Sequence, residues 1–220
     1  MNASMPIDVK SRRRALALGL LAFVGLSGCG SLLPKPSAPP NVFLLEDVAT
    51  SPAGMPSRLV GAGAVSTLVV SEPRAAPGYG TRRIAYVRTP NELEYFASNQ
   101  WVDPPALMLA PLLAKAIERT GAFRAVVRAP MSVAGDVRLE TELVRLQQDF
   151  SSAPSRVRLT VRAILIDTPT RKVFASREFD AEAVSASEDP AGGVAAANQV
   201  AQRVAAEVAA FCAQWVAEGK

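Results

Sequence analysis

The stretch Val137-Arg138-Leu139-Glu140-Thr141-Glu142-Leu143 alternates apolar or small side chains with charged ones, and it decides the fold of this chain. The same alternation returns over residues 157–165. Because successive side chains of a β-strand point to opposite faces, both stretches are predicted to be long antiparallel strands with one buried and one wet face. Thr168-Pro169 and the residues after it predict a hairpin turn into a last strand over 173–184.

Two helices are predicted from capping residues and a helical spacing of apolar residues. Asp103-Pro104 is expected to open a first helix that Gly121 ends, with Pro111 either kinking it or marking where its main part begins. Asp189-Pro190 predicts a second helix with one apolar face. Shorter strands are predicted at 41–45, 64–70, 83–88 and 123–127. The pattern indicates an α+β fold: one domain with a mixed or antiparallel sheet of about six strands and two long helices packed on one face.

The first 28 residues have the three-part chemistry of a secretory signal peptide. Residues 10–14 carry four positive charges, and residues 15–26 are uncharged and mostly apolar. As a helix those twelve residues would reach about 18 Å, which is short of the roughly 30 Å hydrocarbon core of a bilayer. Leu26, Ser27 and Gly28 then lead to Cys29, and this string resembles the lipobox of bacterial lipoproteins. The resemblance implies cleavage before Cys29 and acylation of its thiol, which would attach the chain to a lipid bilayer.

The residues after Cys29 predict where the anchored domain lies. In enterobacterial sorting an Asp after the acylated Cys retains lipoproteins in the inner membrane, so by that resemblance Gly30 favours the outer membrane. Four prolines between residues 34 and 40 favour a semi-extended tether. We therefore expect a signal peptide at 1–28, a lipidated Cys and tether at 29–40, and an α+β domain at 41–220. The domain would face the periplasm from the outer membrane.

Composition argues against several classes of function. The leader carries +3 of the formal net charge of +4, so the rest of the chain is nearly neutral and no nucleic-acid partner is expected. The chain has no histidine, and Cys212 is its one cysteine besides Cys29. This composition excludes Ser-His-Asp and Cys-His catalysis, leaves a zinc site without its usual imidazole ligands, and allows no intrachain disulfide once Cys29 is acylated. We predict a non-catalytic protein that uses no metal or cofactor.

A more specific indication lies within residues 79–127. There a strand is followed by an Asn-Glu pair, two aromatic residues and a Trp-x-x-Pro opening into a helix. These features resemble the PqiC-like auxiliary lipoproteins of ABC-type transport systems, and the likeness continues as a pattern over roughly residues 41–215. The resemblance implies a non-catalytic component of an intermembrane lipid-transport pathway. Its partners would be an MCE-domain protein and ABC transporter subunits, and a homo-oligomeric ring is one arrangement it allows.

Four residues of this stretch are candidates for a partner interface: Arg82, Tyr95, Phe96 and Trp101. Tyr and Trp are frequent anchors of interfaces, although aromatic residues before a helix also suit simple core packing. Arg82 can meet lipid phosphates or an acidic partner, or be a solvated charge at a strand edge. Three other functions stay open: a pilotin-like outer-membrane assembly lipoprotein, a lipid carrier with an enclosed apolar cavity, and, with no supporting constellation of residues, an enzyme.

Overall fold

The computed structural model describes residues 38–46, 66–131 and 134–217. Cys29, the lipobox-like string before it and most of the tether lie outside the described residues. In chain order the elements are β1 (Asn41–Phe43), β2 (Thr67–Val70), β3 (Arg74–Ala75), β4 (Arg83–Val87), β5 (Glu94–Trp101), α1 (Pro105–Thr120), β6 (Ala125–Arg128), β7 (Val137–Asp149), β8 (Arg156–Asp167), β9 (Lys172–Val184) and α2 (Pro190–Ala217). One mixed sheet contains all the described strands, which confirms the predicted α+β class.

Strand β7 is the central strand of this sheet. Along one edge it pairs antiparallel with β8 over its whole length. Along the other edge it pairs parallel with β2, β3 and β4 in succession. The sheet then continues from β2 to β6 and from β4 through β5 to β1. A single 13-residue strand therefore aligns all the shorter ones.

The alternating pattern that predicted β7 stops at Leu143 in the sequence, yet the strand runs on to Asp149. The register with β8 shifts between Leu143 and Arg145, which marks a β-bulge. The extra residue changes the phase of the alternation, so the next buried side chains are Leu146 and Gln148. Because the bulge interrupts the period-two alternation, the second half of β7 cannot be predicted from that pattern.

Strands β7 and β8 have the predicted division into a buried and a wet face, and β9 has the same division. The buried apolar side chains of β8 are Val157, Leu159, Val161, Ala163 and Leu165, each at most 2% exposed. The opposite face carries exposed ion pairs between neighbouring strands. These pairs are Arg156–Glu182, Arg158–Asp180, Arg162–Glu142 and Arg162–Glu178. Exposed pairs contribute only about 0–1 kcal/mol each, so this face is stabilised mainly by the strand pairing itself.

Both helices pack into the core that the buried face of the sheet provides. From α1 the core takes Leu109, Leu113 and Ile117, and from α2 it takes Val200, Val204 and Val208. Those six side chains are at most 2% exposed, and burying one aliphatic side chain of this size contributes about 1.5–3 kcal/mol. None of the helices in the described ranges is long and apolar enough to cross a bilayer.

The start of α1 differs from the prediction. Pro104 is the N-cap and the helix begins at Pro105, while Asp103 is exposed and makes no cap hydrogen bond. A residue before proline is disfavoured in the helical region, and Pro104 accordingly has a ψ of 132°. The capping role predicted for Asp103 was wrong because this restriction from the second proline moves the helix start by one residue.

The remainder of α1 is continuous through Pro111, so the alternative that its main part begins there is also wrong. Pro111 is exposed, and a ring on the solvent side leaves the buried face of the helix intact. Gly121 ends the helix in the left-handed conformation with φ 67°, as predicted. Asp189 caps α2 as predicted, because its carboxylate accepts a hydrogen bond of 2.8 Å from the Gly192 N–H.

The described residues form nine strands where about six were predicted. β3 has only two residues, too few for a sequence signal. β5 was missed because the second half of Glu94–Trp101 is mostly small or polar and does not alternate. The segment is nevertheless a strand, because it pairs with β4 on one side and with β1 on the other. Strand β5 carries three of the four candidate interface residues.

Candidate partner interface

Trp101, at the end of β5, is buried in the core of this chain and only 3% exposed. Its backbone N–H donates to the backbone carbonyl of Arg82 at 2.7 Å, and its own backbone carbonyl accepts from Arg82 Nε at 3.2 Å. The structure thus brings Arg82 and Trp101 together, with Arg82 exposed and the indole inside. Of the two roles considered for Trp101, the structure therefore supports packing in the core.

Phe96 belongs to an aromatic cluster with Tyr86 and Phe150. The ring centroids of Phe96 and Tyr86 lie 4.4 Å apart, and Phe150 meets both rings edge-on at 5.8–6.3 Å. The Tyr86 hydroxyl donates to the Glu94 carboxylate at 2.8 Å, and this hydrogen bond raises the pKa of Tyr86. Phe96 therefore joins β4, β5 and the end of β7, while remaining partly exposed.

Tyr95 lies on the other face of β5, because neighbouring residues of a strand alternate between faces. Its hydroxyl donates to the Gly78 carbonyl at 2.9 Å, and the Arg83 guanidinium lies over its ring at 3.9 Å from the centroid. Gly78 has a φ of +91°, and a Cβ there would come within 2.8 Å of Leu93 Cδ2. The positive φ favours glycine at this turn, and the Gly78 carbonyl holds the Tyr95 hydroxyl in place.

Beside Tyr95 a depression of about 440 Å³ opens on the surface, lined among others by Tyr79, Leu93, Arg145 and Gln147. Tyr79 donates its hydroxyl hydrogen to Gln147 Oε1. Burial raises the pKa of Tyr79, and the positive charge of Arg145 opposes that rise. No carboxylate of the described residues forms an ion pair with Arg145, which is half-buried in the wall of the depression.

We call Tyr79, Tyr95, Arg83 and Arg145 the basic–aromatic surface. Of the four predicted interface residues, it contains Tyr95, and Arg82 adjoins it through its neighbour Arg83. Phe96 and Trp101 are not part of it. Sequence reasoning missed Arg145 because the β-bulge of β7 takes it out of the alternating pattern. Sequence reasoning also did not select Tyr79, although that residue begins the stretch 79–127 that resembles the auxiliary lipoproteins.

The chemistry of this surface suits binding. Tyrosine and arginine are over-represented among the residues that dominate interfaces. In the parts of the chain that the structure describes, no three His, Cys, Asp or Glu side chains are grouped to hold a metal ion. The Cys212 thiol is buried, and burial raises its pKa to about 12, so it is not a nucleophile at neutral pH.

An internal lipid site is not supported where the sheet meets α2. The space lined by Ile84, Trp101, Leu146 and Val194 has a volume of about 10 Å³. About 10–15 Å³ of such space is needed to hold even one water molecule, so no acyl chain fits there. A second depression, of about 380 Å³, lies between α1 and α2 and is lined by Leu112, Ala116 and several alanines of α2. It is open to solvent and is not an enclosed cavity.

Comparisons with known proteins agree with the fold. Residues 47–209 match the family described as the ABC-type transport auxiliary lipoprotein component. The structure is similar to protein XCC0632 from Xanthomonas campestris, of family DUF330, with a TM-score of 0.65 and 25% identity over 82% of this chain and 95% of that one. It is also similar to an uncharacterized protein at a TM-score of 0.60 and 12% identity, over 80% of this chain and 99% of that one. Among curated proteins none matches this chain. Since the family match spans well over half of the sequence, the chain belongs to the family of ABC-type transport auxiliary lipoprotein components.

Proposed function

We propose that this chain is an outer-membrane-anchored periplasmic lipoprotein and the non-catalytic auxiliary component of an ABC/MCE-type intermembrane lipid transport system. The observation that carries the proposal is the family match over residues 47–209. The signal-like leader and the lipobox-like string support acylation of Cys29, and Gly30 supports the outer membrane. The partners would be an MCE-domain protein and ABC transporter subunits, with homo-oligomerisation as a further possibility to test.

Within this role the proposed docking site is the part of the basic–aromatic surface around the depression, formed by Tyr79, Tyr95 and Arg145. Arg145 forms no ion pair with a carboxylate of the described residues, although its charge helps to lower the pKa of Asp180. Tyr79 and Tyr95 are fixed by hydrogen bonds to Gln147 and Gly78. A fixed aromatic pair beside such a guanidinium fits an acidic, partly apolar segment of a protein partner. Ordered anchors also reduce the entropy that is lost on binding.

Affinity purification tests the proposal directly. The tagged, lipidated chain would be isolated from native membranes in mild detergent and the co-purifying proteins identified. We expect an MCE-domain protein or ABC transporter subunits. Recovery of only secretion or polysaccharide-export components would contradict the proposal and favour the pilotin-like function.

A pair of matched variants tests the docking site. Arg145→Glu should reduce recovery of the partner at least five-fold, because it reverses the charge in the depression. Arg138→Glu makes the same change on an exposed residue of the same strand and should leave recovery unchanged. Equal recovery with both variants would remove the docking site from the proposal.

The anchor is tested separately by Cys29→Ala. We expect this variant either to be soluble in the periplasm or to keep its leader. Outer-membrane fractionation and processing that match those of the unaltered chain would contradict acylation at Cys29.

A further inference from the structure

Aliphatic side chains are exposed at the edge of the sheet where the described chain begins. Val42 is 50% exposed, Leu44 43% and Val102 45%. In a monomer such side chains are usually scattered singly, and a group of them indicates a contact surface. What is unusual here is that three of them occur on one short edge.

Strand register places Val42 on the face away from the helices, and Leu44 and Val102 directly follow the two paired strands. Phe43 and Trp101 are register partners of β1 and β5, and both belong to the core side. Val42 pairs with Gln100, one position earlier, and therefore faces the other way. The Val102 N–H donates to the Phe43 carbonyl at 2.6 Å, which holds the backbone of Val102 beside that of Leu44.

A positive charge lies on the same face. Arg83 is the register partner of Gln100, so Val42, Gln100 and Arg83 are abreast across three strands. Arg83 is exposed and stacked on Tyr95, and no carboxylate of the described residues forms an ion pair with it. We call Val42, Leu44, Val102 and Arg83 the β1 patch. It combines aliphatic side chains with a cation and an adjoining tyrosine, which is the combination that suits the boundary between acyl chains and lipid phosphates.

The position of the patch in the chain identifies its occupant. Asn41, the first residue of β1, lies twelve residues after Cys29. Twelve fully extended residues reach at most about 40–43 Å. An anchor at Cys29 therefore holds the patch within reach of the bilayer at all times. Under such a high effective concentration, a contact too weak to bind a membrane from solution is still formed.

We propose that the β1 patch rests on the bilayer surface of the anchored protein, with Val42, Leu44 and Val102 at the acyl boundary and Arg83 beside lipid phosphates. This inference rests on the proposed anchor at Cys29. The contact would fix which edge of the sheet faces the membrane and leave the depression at Tyr79 and Arg145 accessible to a protein partner.

The test is fluorescence quenching in reconstituted vesicles. The lipidated chain carrying Leu44→Cys would be labelled with an environment-sensitive fluorophore. It would then be placed in phosphatidylethanolamine and phosphatidylglycerol vesicles, at a ratio of about 3:1, with and without brominated phospholipid. Cys212 does not compete for the label, since burial raises its pKa to about 12. Val173→Cys is the matched control, because Val173 is an aliphatic residue of β9 that is 60% exposed.

We expect brominated lipid to quench the label at position 44 at least twice as strongly as the label at position 173. Replacing Val42 and Val102 by serine in the labelled chain should remove most of that difference while the unfolding midpoint stays the same. Equal quenching at positions 44 and 173, or none at either, would overturn the proposal. Self-quenching at position 44 in detergent without vesicles would also overturn it, because it would identify a second copy of the chain as the occupant.

A second arm separates the patch from the anchor. Flotation of the reconstituted vesicles reports whether the native chain is anchored at all. A form that begins at Gly30 with an amino-terminal histidine tag, bound to nickel-chelating lipid, repeats the quenching measurement without acylation. Flotation without quenching contradicts the patch alone, whereas quenching of the tagged form with no flotation of the native chain contradicts the anchor alone.

Discussion

At the scale of single residues, Trp101 joins the edge strands of the sheet to the core. Its indole is only 3% exposed, whereas Val102 beside it is 45% exposed. Trp101→Ala should lower the free energy of unfolding by about 3–5 kcal/mol, because it leaves a large cavity in a packed interior. Urea denaturation followed by circular dichroism measures this. Val102→Ala, as the control, should change the free energy by no more than about 0.5 kcal/mol. A stable Trp101→Ala variant that has lost its partner would instead show that the indole acts at an interface.

Asp189 predicts a pH dependence of stability. Hydrogen bonds from the Gly192 N–H and the Ser187 hydroxyl lower the pKa of Asp189 from its ordinary value of 3.8. Because the folded pKa is the lower one, the stabilisation is present above the unfolded pKa and is lost as the pH falls through the folded pKa. Asp189→Asn keeps a capping oxygen but does not titrate.

The urea midpoint of the unaltered chain should therefore fall more steeply below about pH 4 than that of Asp189→Asn. Asp167 and Asp180, whose pKa values are also lowered, contribute equally to both proteins and cancel in the difference. Midpoints that stay parallel from pH 7 to pH 2 would show that the Asp189 carboxylate does not stabilise the helix in its charged form.

At the scale of elements, the first turn of α2 depends on a glycine. A Cβ at Gly192 would lie 2.4–2.5 Å from the backbone nitrogen and oxygen and the hydroxyl of Ser187. Alanine in place of glycine normally stabilises a helix by about 0.5–1 kcal/mol. Gly192→Ala should do the opposite and lower the thermal midpoint, because the backbone of Ser187 cannot move aside as a flexible side chain can. The exposed Ala195→Gly serves as a control for helix propensity alone, and a raised midpoint in Gly192→Ala would refute the packing argument.

The same scale shows which elements are predictable from sequence. β8 and α2 were found because each carries an uninterrupted period, of two and 3.6 residues, and a turn or cap at its start. The start of α1 was predicted one residue too early. Pro105 disfavours the helical conformation of Pro104, and this effect acts against the capping signal of Asp103. β5 was missed because its second half has no period and depends on its neighbours in the sheet. Local signals therefore predict elements that bury one continuous face, and tertiary pairing decides the others.

For the whole molecule, the candidate surface was predictable only in part. Tyr95 and Arg82 were found from a stretch of sequence, since β4, β5 and their turn are close together in the chain. Arg145 lies fifty residues beyond Tyr95 and reaches the same surface only because β7 pairs with β4. A site assembled across a sheet cannot be found from spacing in one segment. It requires the topology, and the strand pairing that sets the topology here cannot be predicted from local sequence patterns.

The whole molecule also depends on how firmly β1 is attached, because β1 is the first element after the proposed anchor and connects that anchor to the rest of the domain. The segment after β1 is joined to α2 by Asn198, which accepts the Glu46 N–H at 2.7 Å and donates to the Leu44 carbonyl at 3.3 Å. Asn198→Ala should therefore increase amide hydrogen exchange at Glu46 by at least ten-fold while leaving the amides of β7 and β8 protected. Local opening of an edge segment requires far less free energy than global unfolding. The exposed neighbour Gln199→Ala should leave the exchange at Glu46 as it is. If Asn198→Ala does the same, packing of Leu45 in the core, and not the Asn198 side chain, attaches this end of the chain to the helix layer.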